Sequence, residues 1–286
     1  MISLDGKITI VTGAGRGLGR AMAKGLLNAN AKLVLVEVDQ AVLDDTMGEI
    51  GQDCLGILAD VSKKSESERI VSETIQHFGN VHCLINNAGL GPERFRDTAR
   101  TNVQMVWEIE AEDWKQYLGV NMTAHFFMTK AIVPHLLQQG WGRIVNVTTS
   151  LETMIDHTNG AYGPSKAGAE ALATMTAVGL EGTGVTCNVL IPGGPSDTRM
   201  ISSTGVYEDR KKLIKPEVMV APLLTILSDN SDNINNVRVR AVFWDKNADI
   251  ATNLKRSSAP IAWPQLGGQA IQPPGVSPRT LQAKND

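Results

Sequence analysis

The sequence is poor in cysteine, and its three cysteines stand far apart. Cys83 and Cys187 lie inside apolar runs that are typical of strands, so we expect buried thiols in a reducing compartment rather than disulfides. The five histidines show none of the spacings that hold a metal ion. No metal site is therefore predicted.

Long apolar runs and dense positive charge are missing as well. No stretch approaches the ~20 apolar residues that span a bilayer, and residues 1–13 lack the features of a secretory signal. The formal net charge is -3, and the short basic run 210–212 is typical of a solvated face. We expect a cytoplasmic protein with no membrane partner and no nucleic-acid partner.

Short apolar runs alternate with longer helical segments over most of the chain. Several runs are apolar throughout, which is typical of strands covered on both faces of a parallel sheet. In the segment 65–78, Ile70, Val71 and Phe78 share one helical face. This order predicts an α/β fold, a doubly wound parallel sheet of about seven strands with helices on both faces. The predicted strands are residues 7–12, 32–37, 55–59, 81–86, 142–148, 186–191 and 237–243.

The end of the chain differs in composition, since it is rich in proline, glycine and glutamine and has no periodicity. We predict a single domain over residues 1–250 and an extended tail over residues 251–286. Trp263, Leu266 and Ile271 could anchor this tail on its own subunit or on a neighbour. A partly ordered terminus is the alternative.

A glycine-rich turn, TGAGRGLG, joins the first predicted strand to the first helix. Glycine lets the backbone approach a pyrophosphate, and the helix N-terminus offers unpaired N–H groups and a positive dipole end. A strand before this turn and a helix after it are the context that indicates a dinucleotide site. The predicted contacts in the turn are Gly13, Arg16, Gly17, Leu18 and Gly19.

The second and third predicted strands end beside acidic residues. Glu37 can accept hydrogen bonds from both adenosine ribose hydroxyls and repels a 2′-phosphate, which favours NAD over NADP. Arg16 argues the other way, because a cation could reach a 2′-phosphate, but we expect Glu37 to prevail over it. Asp39 is a weaker ribose candidate. Asp60, followed by Val61, is expected to accept from the adenine amino group, with an N-cap for the next helix as the alternative.

Tyr162 and Lys166 stand four residues apart and therefore share one face of a helix. A tyrosine with a pKa of about 10 is a poor base at neutral pH. A nearby ammonium stabilises the phenolate and lowers that pKa, which makes the pair a candidate general acid/base. If no other motif accompanied the pair, a tyrosine and a lysine in contact on the protein surface would be the alternative interpretation.

Several motifs occur together and in order: TGAGRGLG, NNAG, Asn121, GRIVNVTTS, YGPSK and IPGG. This series resembles the short-chain dehydrogenase/reductase family over roughly residues 5–245. The resemblance implies a Rossmann-like fold. It also implies an oxidoreductase that moves a hydride between a small-molecule alcohol or ketone and a nicotinamide cofactor.

The resemblance also implies a role for each matching residue. Tyr162 would be the general acid/base, Lys166 would lower its pKa and hold the nicotinamide ribose, and Asn121 would hold a water that links Lys166 to solvent. Tyr162 would contact the cofactor as well, and the remaining cofactor contacts would be Asn87, Ala88, Gly89, Pro192, Gly193 and Thr198.

Three departures from the family pattern stand near the expected substrate. The serine that the family places thirteen residues before the tyrosine is Thr149 here, with Ser150 next, and either hydroxyl could donate to a carbonyl oxygen. One extra residue precedes Thr198. The third departure has two parts: the segment 90–106 is longer than usual, and the glycine-rich motif after the last strand is missing. We therefore expect a substrate that is unusual for the family.

Two other functions stay open. An NADP-dependent carbonyl or 3-oxoacyl thioester reductase follows if Arg16 outweighs Glu37. A non-catalytic dinucleotide-binding regulator follows if the threonine cannot replace the serine. The resemblance further implies a homotetramer or homodimer that packs the helices after Asn121 and Tyr162.

Overall fold

The computed structural model describes residues 2–51, 54–91, 104–201 and 209–263. Within this part of the chain one sheet carries all the strands. They are β1 (Ile8–Thr12), β2 (Lys32–Glu37), β3 (Cys54–Leu58), β4 (Cys83–Asn86), β5 (Gly142–Val147), β6 (Val185–Ile191), β7 (Val237–Arg240) and β8 (Ser258–Pro260). Their order is β3-β2-β1-β4-β5-β6-β7-β8. Every neighbouring pair is parallel except β7 and β8, which are antiparallel.

Helices cover both faces of this sheet. They are α1 (Gly17–Asn28), α2 (Gln40–Ile50), α3 (Lys64–Phe78), α4 (Ala111–Leu118), α5 (Ala124–Gln139), α6 (Leu151–Ile155), α7 (Tyr162–Gly179), α8 (Val220–Leu227) and α9 (Ile250–Ser257). A π turn spans Gly119–Thr123, and 3-10 turns span Val106–Glu108, His157–Asn159, Arg210–Lys212, Pro216–Met219, Asp229–Ser231 and Ala241–Phe243.

Two apolar cores lie on opposite faces, because successive side chains of a strand point to opposite sides. In β1, Val11 packs into the core that contains α1, α2 and α8. Its neighbour Ile10 packs into the core that contains α3, α5 and α7. The strand order reverses between β1 and β4, so a cleft opens there at the carboxyl ends of the strands.

The predicted doubly wound α/β fold is confirmed, and β2 has its predicted bounds. The seventh strand ends at Arg240 instead of residue 243, because the chain turns into the 3-10 segment Ala241–Phe243. The antiparallel strand β8 was not predicted, since three residues, Ser-Ala-Pro, carry no strand pattern.

The tail predicted over residues 251–286 is not extended where the structure describes it. Helix α9 begins at Ile250, directly after its N-cap Asp249, and β8 pairs with β7, with Ser258 opposite Val239. Asn253 fixes this segment by accepting from the Asp245 amide at 2.7 Å and donating to its carbonyl at 2.8 Å. The segment therefore adds β8 as the last strand at this edge of the sheet, and residues 264–286 lie outside the described part.

Cys83 and Cys187 are fully buried, as predicted. Burial raises the pKa of both thiols to about 12. Within the described ranges, no helix has the length and apolar character needed to cross a bilayer. The same residues contain no group of three histidine, cysteine or acidic side chains arranged to hold a metal ion.

Candidate active site

A cleft of about 1990 Å³ opens at the carboxyl ends of the strands. Nearly every residue that the sequence assigned to a site lines it, from the glycine turn to Thr198. Asn121 is the exception, because its side chain lies behind the wall and is fully buried. The predicted residues thus come together although 185 positions separate Gly13 from Thr198.

The glycine turn requires glycine for two reasons: a left-handed backbone at some positions and the lack of space for a Cβ atom at another. Gly13 and Gly17 have φ angles of 62° and 52°, in the left-handed region. A Cβ on Gly19 would come 2.1 Å from the Gly13 carbonyl oxygen. Helix α1 begins at Gly17 with no side-chain cap and no acidic residue in its first turn. Its first N–H groups are therefore open to an anion in the cleft.

Thr12 and Asn87 hold the glycine turn against the end of β4. The Thr12 hydroxyl accepts from the Asn87 and Ala88 amides at 3.0 and 3.1 Å. Asn87 Nδ2 donates to the Thr12 and Gly13 carbonyls, both at 3.0 Å. Sequence reasoning missed Thr12, although it directly precedes the glycines.

Glu37 and Arg16 have separate partners. Glu37 Oε2 accepts from the Gly15 amide at 3.1 Å, and Oε1 accepts from the Val38 amide at 2.9 Å. Arg16 Nη2 lies 3.0 Å from Asp39 Oδ2, and both side chains are about half exposed. The carboxylate of Glu37 is thus fixed beside the glycine turn, whereas the charge of Arg16 is already paired.

Asp60 is not the cap of the next helix, so that alternative is wrong. Helix α3 begins at Lys64, its N-cap is Lys63, and no side chain caps it. Asp60 Oδ1 instead accepts from the amide and the hydroxyl of Ser62, at 3.1 and 2.6 Å. Asp60 therefore shapes the turn after β3 on the wall of the cleft.

The first turns of α7 carry the candidate acid/base pair. Tyr162 and Lys166 are 8% and 3% exposed. Lys166 Nζ donates to the Val147 carbonyl at 3.0 Å. Burial lowers the pKa of Lys166 to about 8, so the ammonium form still prevails at neutral pH. A Cβ on Gly89 would stand 3.3 Å from Lys166 Nζ, so only glycine leaves this nitrogen undisturbed.

Asn121 lies in the π turn between α4 and α5. Its Oδ1 accepts from the Leu90 amide at 2.7 Å, and its Nδ2 donates to the Leu90 carbonyl and to Ser165 Oγ, both at 3.0 Å. These contacts fix the strand-to-helix loop after β4 against α7. Its holding of a water stays a prediction.

The two hydroxyls before Tyr162 differ in their surroundings. Ser150 caps α6, since its Oγ accepts from the Thr153 amide at 3.2 Å and lies 2.9 Å from Thr153 Oγ1. The Thr149 hydroxyl makes no hydrogen bond to the residues that the structure describes, and Thr149 lines the cleft. The geometry therefore favours Thr149 as the hydroxyl that faces a ligand.

Tyr162 lies in a small apolar cluster with Tyr117 and Ala161. Leu90, Ile109, Trp114 and Met200 pack against the cluster that contains Tyr162. The long loop predicted to shape this end of the cleft lies mostly in residues 92–103, outside the described residues.

His125, at the start of α5, is 2% exposed. Burial, and after it the charge of Lys166, lowers the pKa of His125 to about 3. The unfolded chain binds this proton near pH 6.5, so we expect the free energy of unfolding to fall as the pH drops below 6.5, with a slope approaching about 1.4 kcal/mol per pH unit. Urea unfolding between pH 7.5 and 5.5, above the range where carboxylates titrate, measures it.

The variant His125→Leu should reduce the slope of this pH profile, and the remaining slope should come from His82, whose pKa is also lowered by burial. His157→Gln is the matched control, because the His157 side chain is 75% exposed. Equal slopes for wild type and His125→Leu would show that His125 does not cause the acid sensitivity.

A family model, curated proteins and a solved structure all relate this chain to short-chain dehydrogenases and reductases. The family model for short chain dehydrogenases matches residues 7–208. A short-chain dehydrogenase/reductase of Aspergillus oryzae, astE, is 30% identical over 253 residues, which cover 83% of this chain and 94% of that protein. A 3-oxoacyl-[acyl-carrier-protein] reductase of Synechocystis is 30% identical over 197 residues, covering 68% and 76% of the two chains. The crystal structure of 3-ketoacyl-(acyl-carrier-protein) reductase from Brucella melitensis, complexed with NADH, superposes with a TM-score of 0.72 at 27% identity and covers 82% of this chain and 95% of that one.

Proposed function

Because this chain belongs to the short-chain dehydrogenase/reductase family, we propose that it uses NAD to interconvert a secondary alcohol and a ketone. The family makes it an oxidoreductase that acts on CH–OH groups with a nicotinamide cofactor. The observation that carries the proposal is the pair Tyr162 and Lys166, which lines the same cleft as the uncapped N-terminus of α1.

The residues of the cleft fit a dinucleotide. Gly13 and Gly17 leave the backbone bare beside the first N–H groups of α1, where a pyrophosphate would bind. Glu37 would hold the adenosine ribose, and Lys166 the nicotinamide ribose. Thr198, whose side chain lies close to Gly17, would bind the carboxamide. Bound NAD would supply the carbon that accepts the hydride.

The protein's own groups manage the proton. The hydroxyl of Thr149 donates to the substrate oxygen, and Tyr162 as phenolate removes the proton of the alcohol. The ammonium of Lys166 stabilises that phenolate, because a nearby positive charge favours the ionised form. In the reverse direction Tyr162 donates the proton to the ketone oxygen.

NAD rather than NADP is proposed from the surroundings of Glu37 and Arg16. The carboxylate of Glu37, which accepts from the Gly15 amide, would repel the 2′-phosphate of NADP. The ion pair with Asp39 engages the guanidinium of Arg16, which weakens the one feature in favour of NADP.

Reduction of a 3-oxoacyl thioester is the second candidate, because relatives from Synechocystis and Brucella melitensis carry that name. The apolar cluster beside Tyr162 suits an acyl chain as well as a bulky ketone. A non-catalytic regulator is set aside, since the chain belongs to an oxidoreductase family.

Calorimetric titration with NAD, NADH, NADP and NADPH tests the cofactor. We expect NADH to bind at least about tenfold more tightly than NADPH. The isosteric variant Glu37→Gln should lose most of this preference, whereas Glu68→Gln, which removes the acidic partner of an exposed ion pair within α3, should keep it. Tighter binding of NADPH would overturn the NAD proposal, and no binding of any of the four would overturn the dinucleotide site.

The predicted homo-oligomer stays a prediction. Phe126 and Leu137 on α5 and Met175 on α7 are large apolar side chains that are 43–71% exposed, and a second copy of the chain could cover them. Light scattering at micromolar concentration should give the mass of a dimer or tetramer. A monomer mass would count against it.

A further inference from the structure

Three consecutive residues at the end of β5 are held by three different side chains. The Val147 carbonyl accepts from Lys166 Nζ at 3.0 Å. The Thr148 hydroxyl donates to Glu170 Oε2 at 2.8 Å. The Thr149 carbonyl accepts a hydrogen bond from Arg238. Two of these anchors, Glu170 and Arg238, have no part in the mechanism described above.

Glu170 and Arg238 also form an ion pair with each other inside the protein. Their side chains are 1% and 12% exposed. Glu170 stands on α7, and Arg238 stands on β7, two strands away from β5 in the sheet. The pair therefore joins α7, β7 and the end of β5 behind the wall of the cleft.

A buried ion pair is costly, because both charges leave water, and an apolar pair of similar volume often stabilises a protein as well or better. The pair is therefore weak evidence for a contribution to stability. The other hydrogen bonds of the pair go to Thr148 and Thr149, directly after β5 ends. Thr149 is the residue that lines the cleft there.

Helix α7 carries Tyr162, Lys166 and Glu170 at intervals of four residues, on one face. Lys166 and Glu170 contact successive residues of the strand end, so the helix that carries the acid/base is held in register with the segment that carries Thr149. The distance between the tyrosine and threonine hydroxyls depends on this register.

We propose that Glu170 and Arg238 are positioning residues for hydride transfer. They hold Thr149 in the position relative to Tyr162 from which both hydroxyls reach one substrate oxygen. The proposal rests on the proposed function. Arg238 contributes two nitrogens, one for Glu170 and one for the Thr149 carbonyl. Loss of either anchor lets the strand end shift, and small misplacements of catalytic groups slow the chemical step strongly.

The test compares Glu170→Gln and Arg238→Lys with wild type. Glutamine keeps the shape of Glu170 without its charge, and lysine offers one nitrogen where arginine offers two. With an alcohol identified by screening as substrate, we expect kcat per NADH-binding site to fall by about tenfold to a hundredfold. We expect the Kd for NADH, measured by calorimetry, to stay within about twofold and KM to change less than kcat. Glu68→Gln, which breaks an ion pair whose side chains are both 60% exposed, is the control and should leave all three values unchanged.

The number of NADH molecules bound per protein chain distinguishes a positioning role of Glu170 and Arg238 from a role in stability alone. A structural role lowers that number and leaves kcat per site at the wild-type value, which would overturn the proposal. Normal kcat per site in both variants would overturn it too. If the two variants do not fold, Thr148→Val, which removes only the hydroxyl that donates to Glu170, replaces them, and a kcat per site equal to that of wild type would then overturn the proposal.

The two levels of inference fail differently. Wild-type protein that neither binds NADH nor reduces any ketone contradicts the proposed function. Wild-type protein that does both, with variants that are equally fast, contradicts the positioning role alone.

Discussion

Tyr162→Phe should lower kcat/KM for a secondary alcohol by about 10³-fold, because general acid/base groups contribute 10² to 10⁴ in rate. The variant keeps the ring, which packs against Ala161 and its apolar neighbours, and removes only the group that takes the proton. The nearby ammonium of Lys166 then has no phenolate to stabilise. The measurement is NADH formation under saturating NAD, with an alcohol identified by screening.

Tyr117→Phe is the matched control, since Tyr117 lies in the same apolar cluster and its hydroxyl donates to the Gly91 carbonyl at 3.1 Å. We expect its kcat/KM to stay near that of wild type. NADH affinity should be unchanged in Tyr117→Phe and should change far less than the rate in Tyr162→Phe. If Tyr162→Phe retains the rate of wild type, another group moves the proton and the assignment of Tyr162 is wrong.

Thr149→Val should lower kcat by about 10²-fold to 10³-fold, as expected when a donor to a developing oxyanion is lost. Valine keeps the branched shape and removes the hydroxyl. Ser150→Ala should leave most of the rate, because the Ser150 hydroxyl already accepts from the Thr153 amide at the start of α6. Its cost falls on stability instead, at about 1 kcal/mol for a lost N-cap.

The variant Thr149→Ser completes this series. It keeps a hydroxyl at the same position, so we expect a rate close to that of wild type. The opposite pattern, with a large loss in Ser150→Ala and little in Thr149→Val, would assign the hydroxyl to Ser150.

The sequence predicted the fold well where its signals are local. The apolar strands are buried on both faces, so runs such as KLVLVE stand out and β2 has its predicted bounds. The edge strand β8 has only three residues, which is too short for a recognisable sequence pattern. It depends on pairing with β7, about 20 residues earlier in the chain, and this contact cannot be read from the local sequence. Helix α9 was missed although Asp249 caps it and Lys255 and Arg256 stand in its last turn, because it has only eight residues.

The candidate site follows the same division. The glycine turn, Tyr162 and Lys166 form local motifs, and the structure brings them to one cleft. Three-dimensional contacts alone separate Thr149 from Ser150, since only the structure shows which hydroxyl caps α6. The ion pair of Glu170 with Arg238 joins residues 68 positions apart, so no spacing rule could indicate it.

Transfer of deuterium from NADH that carries deuterium at both C4 positions of the nicotinamide tests the central proposal most directly. The protein is incubated with the labelled cofactor and a panel of bulky ketones and 3-oxoacyl thioesters, and mass spectrometry locates the label. We expect one deuterium on the carbinol carbon of the product with wild type, and none above background with Tyr162→Phe. A product without deuterium at that carbon, or no product from any member of the panel with protein saturated by NADH, would contradict hydride transfer to a ketone in this cleft.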